Sequence, residues 1–328
     1  MPDYSTQPRA AKRTPRSRSR PRKFLRFLVF LGALAASLLI AFHTRIPDRL
    51  GLGLLVDNAA PWFGLLIPVL LLAALVSRSK TSLVVLLVPI LTWVAAFGPS
   101  IIPLSWTAPE AAAQTLVLAS QNIKAGTGAA AQSALELAAD GSDVIALQEL
   151  DADSANKVTD SLGAAYPHHF VVGTVGVWSK YPLEGSRSLD LGLGWKRALR
   201  TQVVTRNGEV QLYVIHAASA RPNDHIDRDV MLDELASTVE TDPQKHVIAL
   251  GDFNATSTDR SFARISSVLK EPNQDDGLFG FTWPRDPFGM MRLDHVLVRG
   301  LEVTSNTTVP AGISDHLAVR ATVNLPES

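Results

Sequence analysis

The sequence predicts an α/β or α+β domain carried behind a helical membrane segment. Three observations lead there. Between about residues 24 and 103 the chain runs through three apolar stretches separated by short polar links. From about Thr115 onward it changes to short apolar runs, each the length of a buried strand and many closed by a polar residue. Between two of those runs, Asp224–Val239 has helical periodicity, with Ile226, Val230, Leu232, Leu235 and Val239 on one face.

Residues 1–23 are rich in Arg, Ser and Pro and too poor in apolar side chains to offset the entropy of ordering, so a disordered basic tail is expected. Phe24–Phe42 is apolar except for Arg26 and Ser37, close to the ~20 residues that cross a bilayer. His43-Thr44-Arg45-Ile46-Pro47 offers no small-residue cleavage site, which favours an uncleaved span over a signal peptide. Pro61–Val76 and Leu83–Ile102 complete a set of three, interrupted by Pro68, Pro89 and Pro99. A start nearer Leu50 would lengthen the second stretch and bury Asp57. Nine Lys/Arg lie in residues 1–26, and Arg78 and Lys80 lie between the second and third stretches. Basic links stay in the cytoplasm. The expectation is therefore a multi-pass cell-membrane protein, N-terminus inside, with everything after Pro103 outside the cytoplasm.

Within the domain, taken as residues 112–326, Leu116–Ser120 reads as a strand ending at Gln121-Asn122, and Ala129–Ala139 as a helix. Asp143–Leu147 is a second strand, ending at Gln148-Glu149. Val171–Trp178, Thr201–Thr205 and Gln211–Ile215 follow, the last ending at His216. His246–Leu250 is a buried strand that Gly251 is expected to end, ahead of Asp252-Phe253-Asn254. If the strand geometry persists, Asp252 and Asn254 leave on one face. Leu293–Val298 and Ala318–Val323 close the chain.

Composition removes several classes of chemistry. There is no cysteine, hence no disulfide, zinc–thiolate site or thiol nucleophile. The formal net charge of zero hides an asymmetry: residues 110–328 hold 18 Lys/Arg against 28 Asp/Glu, a balance of −10. A domain so acidic is not built to grip duplex DNA through its phosphates. No Ser sits in a nucleophile-elbow sequence and no Gly-x4-Gly-Lys phosphate loop occurs.

What remains is a set of polar residues at strand ends: Asn122, Glu149, His216, Asp252, Asn254, Asp294, Asp315 and His316. Singly, each has a structural explanation: a cap for Glu149, a satisfied core imidazole for His216, an ion pair with Arg292 for Asp294. Recurrence at strand ends is what points to a site. Carboxylates without thiols favour a hard cation such as magnesium, manganese or calcium. Two histidines among carboxylates can exchange protons, and asparagines can position a phosphate oxygen or a water. Together they suit metal-assisted attack of water on a phosphoester.

Gln121-Asn122-Ile123, Leu147-Gln148-Glu149, Ile215-His216, Gly251-Asp252-Phe253-Asn254, Leu293-Asp294-His295-Val296 and Ser314-Asp315-His316 occur in that order. As an ordered set they resemble the successive motifs of the endonuclease/exonuclease/phosphatase superfamily, over about residues 114–325. Gly176–Leu183 and Thr282-Trp283-Pro284 resemble its mid-domain strand and its late Thr-Trp segment. The resemblance implies a deoxyribonuclease I-like four-layer sandwich, two facing, mostly antiparallel sheets flanked by helices. It implies a divalent cation, most simply Mg2+, held by Asn122 and Glu149, with Asp315 as a further ligand. It also implies catalytic roles for His216, Asp252, Asn254, Asp294 and His316. His316 oriented by Asp294 and Asp252 remain competing bases, and His216 would protonate the leaving oxygen or stabilise negative charge. Two residues after Asn122, where many nuclease members carry an acid, stands Lys124, which sets this chain apart from abasic-site nucleases.

The leading reading is a membrane-anchored, metal-dependent phosphoester hydrolase, phosphodiesterase- or nuclease-like, acting outside the cytoplasm. Its substrates would be phospholipid headgroups, small phosphoesters or, less favoured by charge, nucleic acid, with the bilayer itself as a partner. Arg197 and Trp283 are candidate substrate contacts, and Arg200 and Arg285 could also meet a phosphate. Trp195 and Phe288–Met291 are candidates for a lipid-docking surface, with core packing the favoured use of each. The alternative is an inactive membrane-tethered scaffold on the same fold.

Overall fold

The computed structural model describes residues 19–326, so the expected basic tail lies outside the described residues up to residue 18. The chain forms two compact units, one of residues up to Ala41 with Trp62–Trp93, the other of Phe42–Pro61 with Val94 onward.

Among the described residues, three helical stretches are long and apolar enough to cross a membrane: Pro21–Arg45, Leu52–Ser77 and Lys80–Ile101. The first is formed mostly by helix α1 (Ser19–Phe42), which starts five residues ahead of the expected Phe24. Pro21 permits this, because proline is tolerated in a first turn whose N–H groups have no intrahelical acceptor. The second stretch is α2 (Leu52–Ala59), a 3-10 segment, then α3 (Leu66–Ser77). The third is broken between α4 (Lys80–Val85) and α5 (Leu87–Phe97). Pro89 accounts for that break, since its ring and missing N–H disrupt the turn before it. In the first unit Val29, Ala33, Ala74 and Leu86 pack together, while Val69, Leu72 and Leu91 are about two-thirds exposed. Ala33 and Ala74 let these helices approach closely while large apolar side chains face outward, as in helices that associate within an apolar solvent.

In the second unit, a short α6 (Leu104–Thr107) precedes β1 (Thr115–Asn122), α7 (Ala130–Ala139), β2 (Val144–Gln148) and α8 (Ala152–Leu162). Then come β3 (His168–Val172), β4 (Val175–Ser179), β5 (Leu183–Leu189), β6 (Ala198–Thr205) and β7 (Gly208–His216). Helix α9 (Ile226–Glu240), β8 (Val247–Asp252), α10 (Ala263–Val268), β9 (Asp294–Arg299), β10 (Val303–Val309) and β11 (Ala318–Asn324) complete it. One sheet has the order β10-β11-β1-β2-β4-β3, the other β5-β6-β7-β8-β9. Each contains a single parallel pair, β1 with β2 and β7 with β8, and is otherwise antiparallel. A parallel pair needs a long crossover; α7 and α9 supply the two.

Strand alternation builds the layers. Leu116 and Leu118 of β1, Val144 and Ala146 of β2, Leu212 and Val214 of β7, Ile248 and Leu250 of β8, and Val296 and Val298 of β9 share one core between the sheets. The intervening residues turn outward. Ala119, Ile145 and Leu147 pack with Ala134, Leu137 and Val158 of α7 and α8. Tyr213, Ile215, Val247 and Ala249 pack with Leu232, Leu235 and Ile265 of α9 and α10. The result is the four-layer, deoxyribonuclease I-like sandwich that the sequence implied.

Two local expectations change. Val171–Trp178 is not one strand but the β3–β4 hairpin, turning at Gly173-Thr174. Gly173 has φ +56°, and a Cβ there would lie 1.8 Å from the Lys196 carbonyl oxygen. Gly251 does not end its strand; β8 continues through Asp252. Its φ of +137° and the Ile215 carbonyl oxygen, 2.0 Å from where a Cβ would stand, are why only glycine fits.

Candidate active site

The polar residues at strand ends continue the inter-sheet rows. Asn122 follows Leu118 and Ser120 on the inward side of β1, His216 follows Val214, Asp252 follows Leu250, and Asp294 precedes Val296. In each parallel pair the two C-terminal ends therefore arrive side by side, with Asn122 opposite Gln148 and His216 opposite Asp252. Asp294, at the start of antiparallel β9, is paired with Asp252. The site is the polar end of the inter-sheet core.

Asp252 is almost completely buried. Its Oδ1 accepts from the Asn254 backbone N–H at 2.9 Å, and its Oδ2 accepts from Asn122 Nδ2 at 2.9 Å and Asn254 Nδ2 at 3.3 Å. The turn after β8 occurs at Asn254, whose φ is +46°. Asparagine tolerates that left-handed conformation better than most residues. Its amide also donates to the Ala217 carbonyl at 3.0 Å.

His316 donates from Nδ1 to Asp294 Oδ2 at 2.8 Å. One ligand atom from each of Asp252, Asp294 and His316 lies within 4.8 Å of the other two, all three side chains being buried. An imidazole beside two buried carboxylates is held as imidazolium. Burial works against charge on His316, but Asp294 and then Asp252 outweigh it and raise the group to about 10. Burial and then Asp294 push the Asp252 carboxyl up to about 6. Residues quoted in the motifs but given no role hold this cluster. Ser314 Oγ donates to the Asn122 carbonyl and accepts from the His316 N–H, while Gln121 Nε2 donates to the His316 carbonyl. Thr282 Oγ1 accepts from the N–H groups of Leu293 and Asp294, and its carbonyl accepts from Leu317 N.

The Asn122 amide bridges two acids, its second contact being Glu149 Oε1 at 3.0 Å. Glu149, at φ +62°, also accepts from Ala125 N at 2.7 Å. The Glu149 carboxylate offers hard oxygen donors partly open to solvent beside two further buried carboxylates, and Asp294 Oδ1 is buried without a hydrogen-bond partner. That surplus of negative charge fits a divalent cation. Asp315 is brought to the same end, but its carboxylate faces Lys124 Nζ at 3.3 Å. The lysine thus spends its charge on the acid expected to be a ligand.

Of the two roles expected for His216, protonating the leaving oxygen or stabilising negative charge, its hydrogen bonds disfavour the first. Arg197 Nη2 donates to its Nε2 at 2.5 Å, so that nitrogen is an acceptor, and Nδ1–H donates to Thr174 Oγ1 at 2.9 Å. Burial, then Arg197, lowers His216 to about 3. Arg197 also donates to the carbonyls of His216 and Ala217 and lies over the Trp195 ring, 4.4 Å from its centroid. It is the cation of this side of the site. Thr174 had no signal in the sequence beyond its place after a glycine.

Trp283 pairs with Met291 through the backbone, half-buried, on the segment that bears Thr282. Arg200 is committed to Asp242 and Gln211, and Arg285 to the Gly312 carbonyl. Arg292 pairs with Glu271 at 3.1 Å. The assignment of Trp195 and Phe288 to the core is corrected: they are 51% and 61% exposed, and Met290 is also exposed. Trp195 lies against Arg197, on the loop that leads into β6.

Fold and site together define a metal-dependent phosphoester hydrolase built on a two-sheet sandwich. The chain belongs to the endonuclease/exonuclease/phosphatase family, which its residues 104–316 match. Similar solved structures include D. rerio TDP2 complexed with single-strand DNA product, 19% identical, covering 64% of this chain and 99% of that one, with a TM-score of 0.55. An endonuclease/exonuclease/phosphatase family protein from Bacteroides thetaiotaomicron is 16% identical over 64% of this chain and 95% of that one, TM-score 0.53. One from Beutenbergia cavernae is 19% identical over 65% of this chain and 72% of that one, TM-score 0.53. No curated protein matches the chain.

Proposed function

We propose that this protein is a membrane-anchored phosphodiesterase whose catalytic domain works outside the cytoplasm with Mg2+. The observation that carries the reading is the Asn122 amide, which ties Glu149 to Asp252 beside the His316–Asp294 pair. Glu149 and Asn122 are the residues that would hold the cation, with Asp315 left to Lys124. When bound, the cation supplies Lewis-acid polarisation of the phosphoryl group.

The chain's own residues supply the rest. Asp252 orients the attacking water and takes its proton, since both its oxygens are fixed by amide donors and its neighbour His316 is a donor rather than an acceptor. His316, held by Asp294, donates to a phosphoryl oxygen. Asn254 positions that oxygen, and Arg197, steadied by His216, meets the charge on the leaving group.

Three apolar helices support the anchoring, and the nine basic residues in 1–26 support a cytoplasmic N-terminus. The segment Phe42–Pro61, between the first two apolar stretches, packs within the same compact unit as the domain. Three spans put two crossings between them, which keeps both on one side of the membrane. TDP2 in the solved structure carries a single-strand DNA product. Here the balance of −10 over residues 110–328 disfavours nucleic acid, and exposed Trp195 and Phe288 favour a phospholipid headgroup or small phosphodiester. The test uses the full chain in detergent with Mg2+, a chromogenic phosphodiester, sphingomyelin and plasmid DNA side by side. Hydrolysis that chelator and Asp252→Ala both abolish supports the reading. Binding without turnover on any of them returns the protein to the scaffold alternative.

A further inference from the structure

Phe42–Pro61, which ends the first apolar stretch and begins the second, lies outside the family-matched residues 104–316, yet it is built into the second unit. Asp57 of α2 has a fully buried side chain. Its Oδ2 accepts from Arg260 Nε at 2.6 Å and from Arg260 N at 3.1 Å, and its Oδ1 meets Arg260 Nη2 at 3.2 Å and His43 Nδ1 at 2.9 Å. Arg260 Nη1 donates onward to the Ile46 carbonyl at 2.8 Å. Two threonines on the same loop as Arg260 reach across as well: Thr258 Oγ1 donates to the Asp57 carbonyl and Thr256 Oγ1 to Asn58 Oδ1, each at 2.7 Å. Asp57, the one acid at the margin of the apolar stretches, is thus buried by protein.

A second line runs from the same segment. Asp48 accepts from the N–H groups of Gly53 and Leu54, and its Oδ2 pairs with His225 Nε2 at 2.8 Å. His225 Nδ1 pairs with Asp229 at 2.8 Å, and Asp229 with Arg228 Nε at 2.7 Å. Arg228, about 1% exposed, spans Asp259 Oδ2 at 2.8 Å and the carbonyl of Asn254 at 2.7 Å. Both lines end on residues 254–260, the loop that leaves β8. Asn254 holds a left-handed conformation there, with its amide directed at Asp252 and the Ala217 carbonyl. Residues kept in such conformations persist only where their surroundings fix them.

We propose that Asp57 and Asp48 are positioning residues of the active site, acting through Arg260, His225 and Arg228 to hold Asn254 in place. The proposal rests on the catalytic reading of Asn254 given above. It makes Phe42–Pro61, the turn into the second apolar stretch together with its first helix α2, part of the enzyme as well as a connector. Loosening it displaces Asn254 without removing a group that touches substrate, so turnover falls and substrate affinity does not.

The test uses the full chain in detergent with Mg2+ and a chromogenic phosphodiester. Wild type, Asp57→Asn, Asp48→Asn, Arg260→Gln and the Asp57→Asn/Arg260→Gln double variant are compared, with hydrogen–deuterium exchange of residues 251–260 measured on each. The expected result is a kcat lowered roughly ten- to hundredfold at unchanged KM, the size of loss that a small misplacement produces. The double variant should be no worse than the poorer single variant, and exchange across 251–260 should be faster than in wild type. Tyr166→Phe, which removes a buried hydrogen bond to the Ser142 carbonyl, is the control for a general loss of stability and should leave kcat unchanged. Wild-type exchange in the Asp57 and Asp48 variants, or faster exchange with unchanged kcat, overturns the proposal. So does a loss of kcat that Tyr166→Phe reproduces at equal thermal stability. If wild type itself shows no turnover, the hydrolase reading fails, and exchange alone then decides whether the link to 251–260 exists. Should Asp57→Asn fail to fold, Asp48→Asn carries the same comparison.

Discussion

Arg197 donates from its guanidinium to Nε2 of His216 at 2.5 Å. That contact reverses the roles the two types of side chain would ordinarily take beside a leaving group. The imidazole, with one nitrogen accepting and the other donating to Thr174, stays neutral, and the fixed positive charge belongs to Arg197. A cation held near Glu149, whose carboxylate is 4.0 Å from His216 Nε2, would only strengthen the preference for a neutral ring.

Arg197→Met is therefore expected to lower kcat/KM for a phosphodiester about 10²–10³-fold, the loss typical of removing one preorganised charge-stabilising donor. The pH–rate profile of wild type should carry no step belonging to His216 between pH 5 and 8. Comparing that profile in His216→Gln checks the assignment. A limb present in wild type and missing from the variant would make His216 a proton donor after all.

Asp294 contacts His316 and is paired with Asp252, but it does not need to touch substrate. Asp294→Asn keeps the shape while removing the charge that holds His316 as imidazolium. The expected effect is a fall in kcat of about 10²–10⁴-fold, the range of a lost acid–base contribution, with KM little changed. His316→Ala should be no more active than the Asp294→Asn/His316→Ala double variant, because the two act as one unit. Additive losses in steady-state kinetics would separate them.

Most of the site was legible because strand alternation and chemistry coincide. The apolar rows that form the inter-sheet core end on Asn122, His216, Asp252 and Asp294, so reading strand ends amounted to reading the site. Edge strands were less visible. β5 and β10 border the two sheets, and Leu183–Leu189 and Val303–Val309 lack the apolar run that burial on both faces produces. Contacts between distant segments gave no signal at all. Arg260 and Asp57 are 203 positions apart, and neither sits in a motif. Trp195 was misplaced in the core because hydrophobicity says nothing about which loops lack a covering layer.

Glu271 predicts how the fold responds to acid. Burial alone would raise its carboxyl, but Arg292 and His295 outweigh it and lower the group to about 2. Its ordinary value is near 4.5. The folded carboxylate keeps its charge where the unfolded one takes a proton, so this stabilisation is complete above about pH 4.5 and is lost as the pH falls toward 2. The shift corresponds to at most about 3 kcal/mol. Glu271→Gln should lower the thermal midpoint at pH 7 and flatten its fall between pH 4.5 and the acid limit. A variant with the wild-type slope there would remove Glu271 as the source.

The membrane arrangement can be decided from both ends of the same argument. Asp57 and Arg260 form an ion pair at 2.6 Å, and Asp48 and His225 one at 2.8 Å; the proposed three-span arrangement puts Phe42–Pro61 and the domain on one side of the membrane. Charge sets which compartment that is. In that proposed arrangement the nine basic residues in 1–26 and the pair Arg78 and Lys80 are each one crossing away from the domain, on the cytoplasmic side. A reporter that works only outside the cytoplasm should be active when fused after Ser328 and silent when inserted between Arg78 and Lys80. A reporter that works only inside should give the opposite pattern at both positions. Activity of the external reporter at both sites would mean the second and third stretches do not both cross, leaving the ion pairs intact but the span count wrong. Silence after Ser328 with activity at Arg78 would invert the whole arrangement and place phosphoester hydrolysis in the cytoplasm.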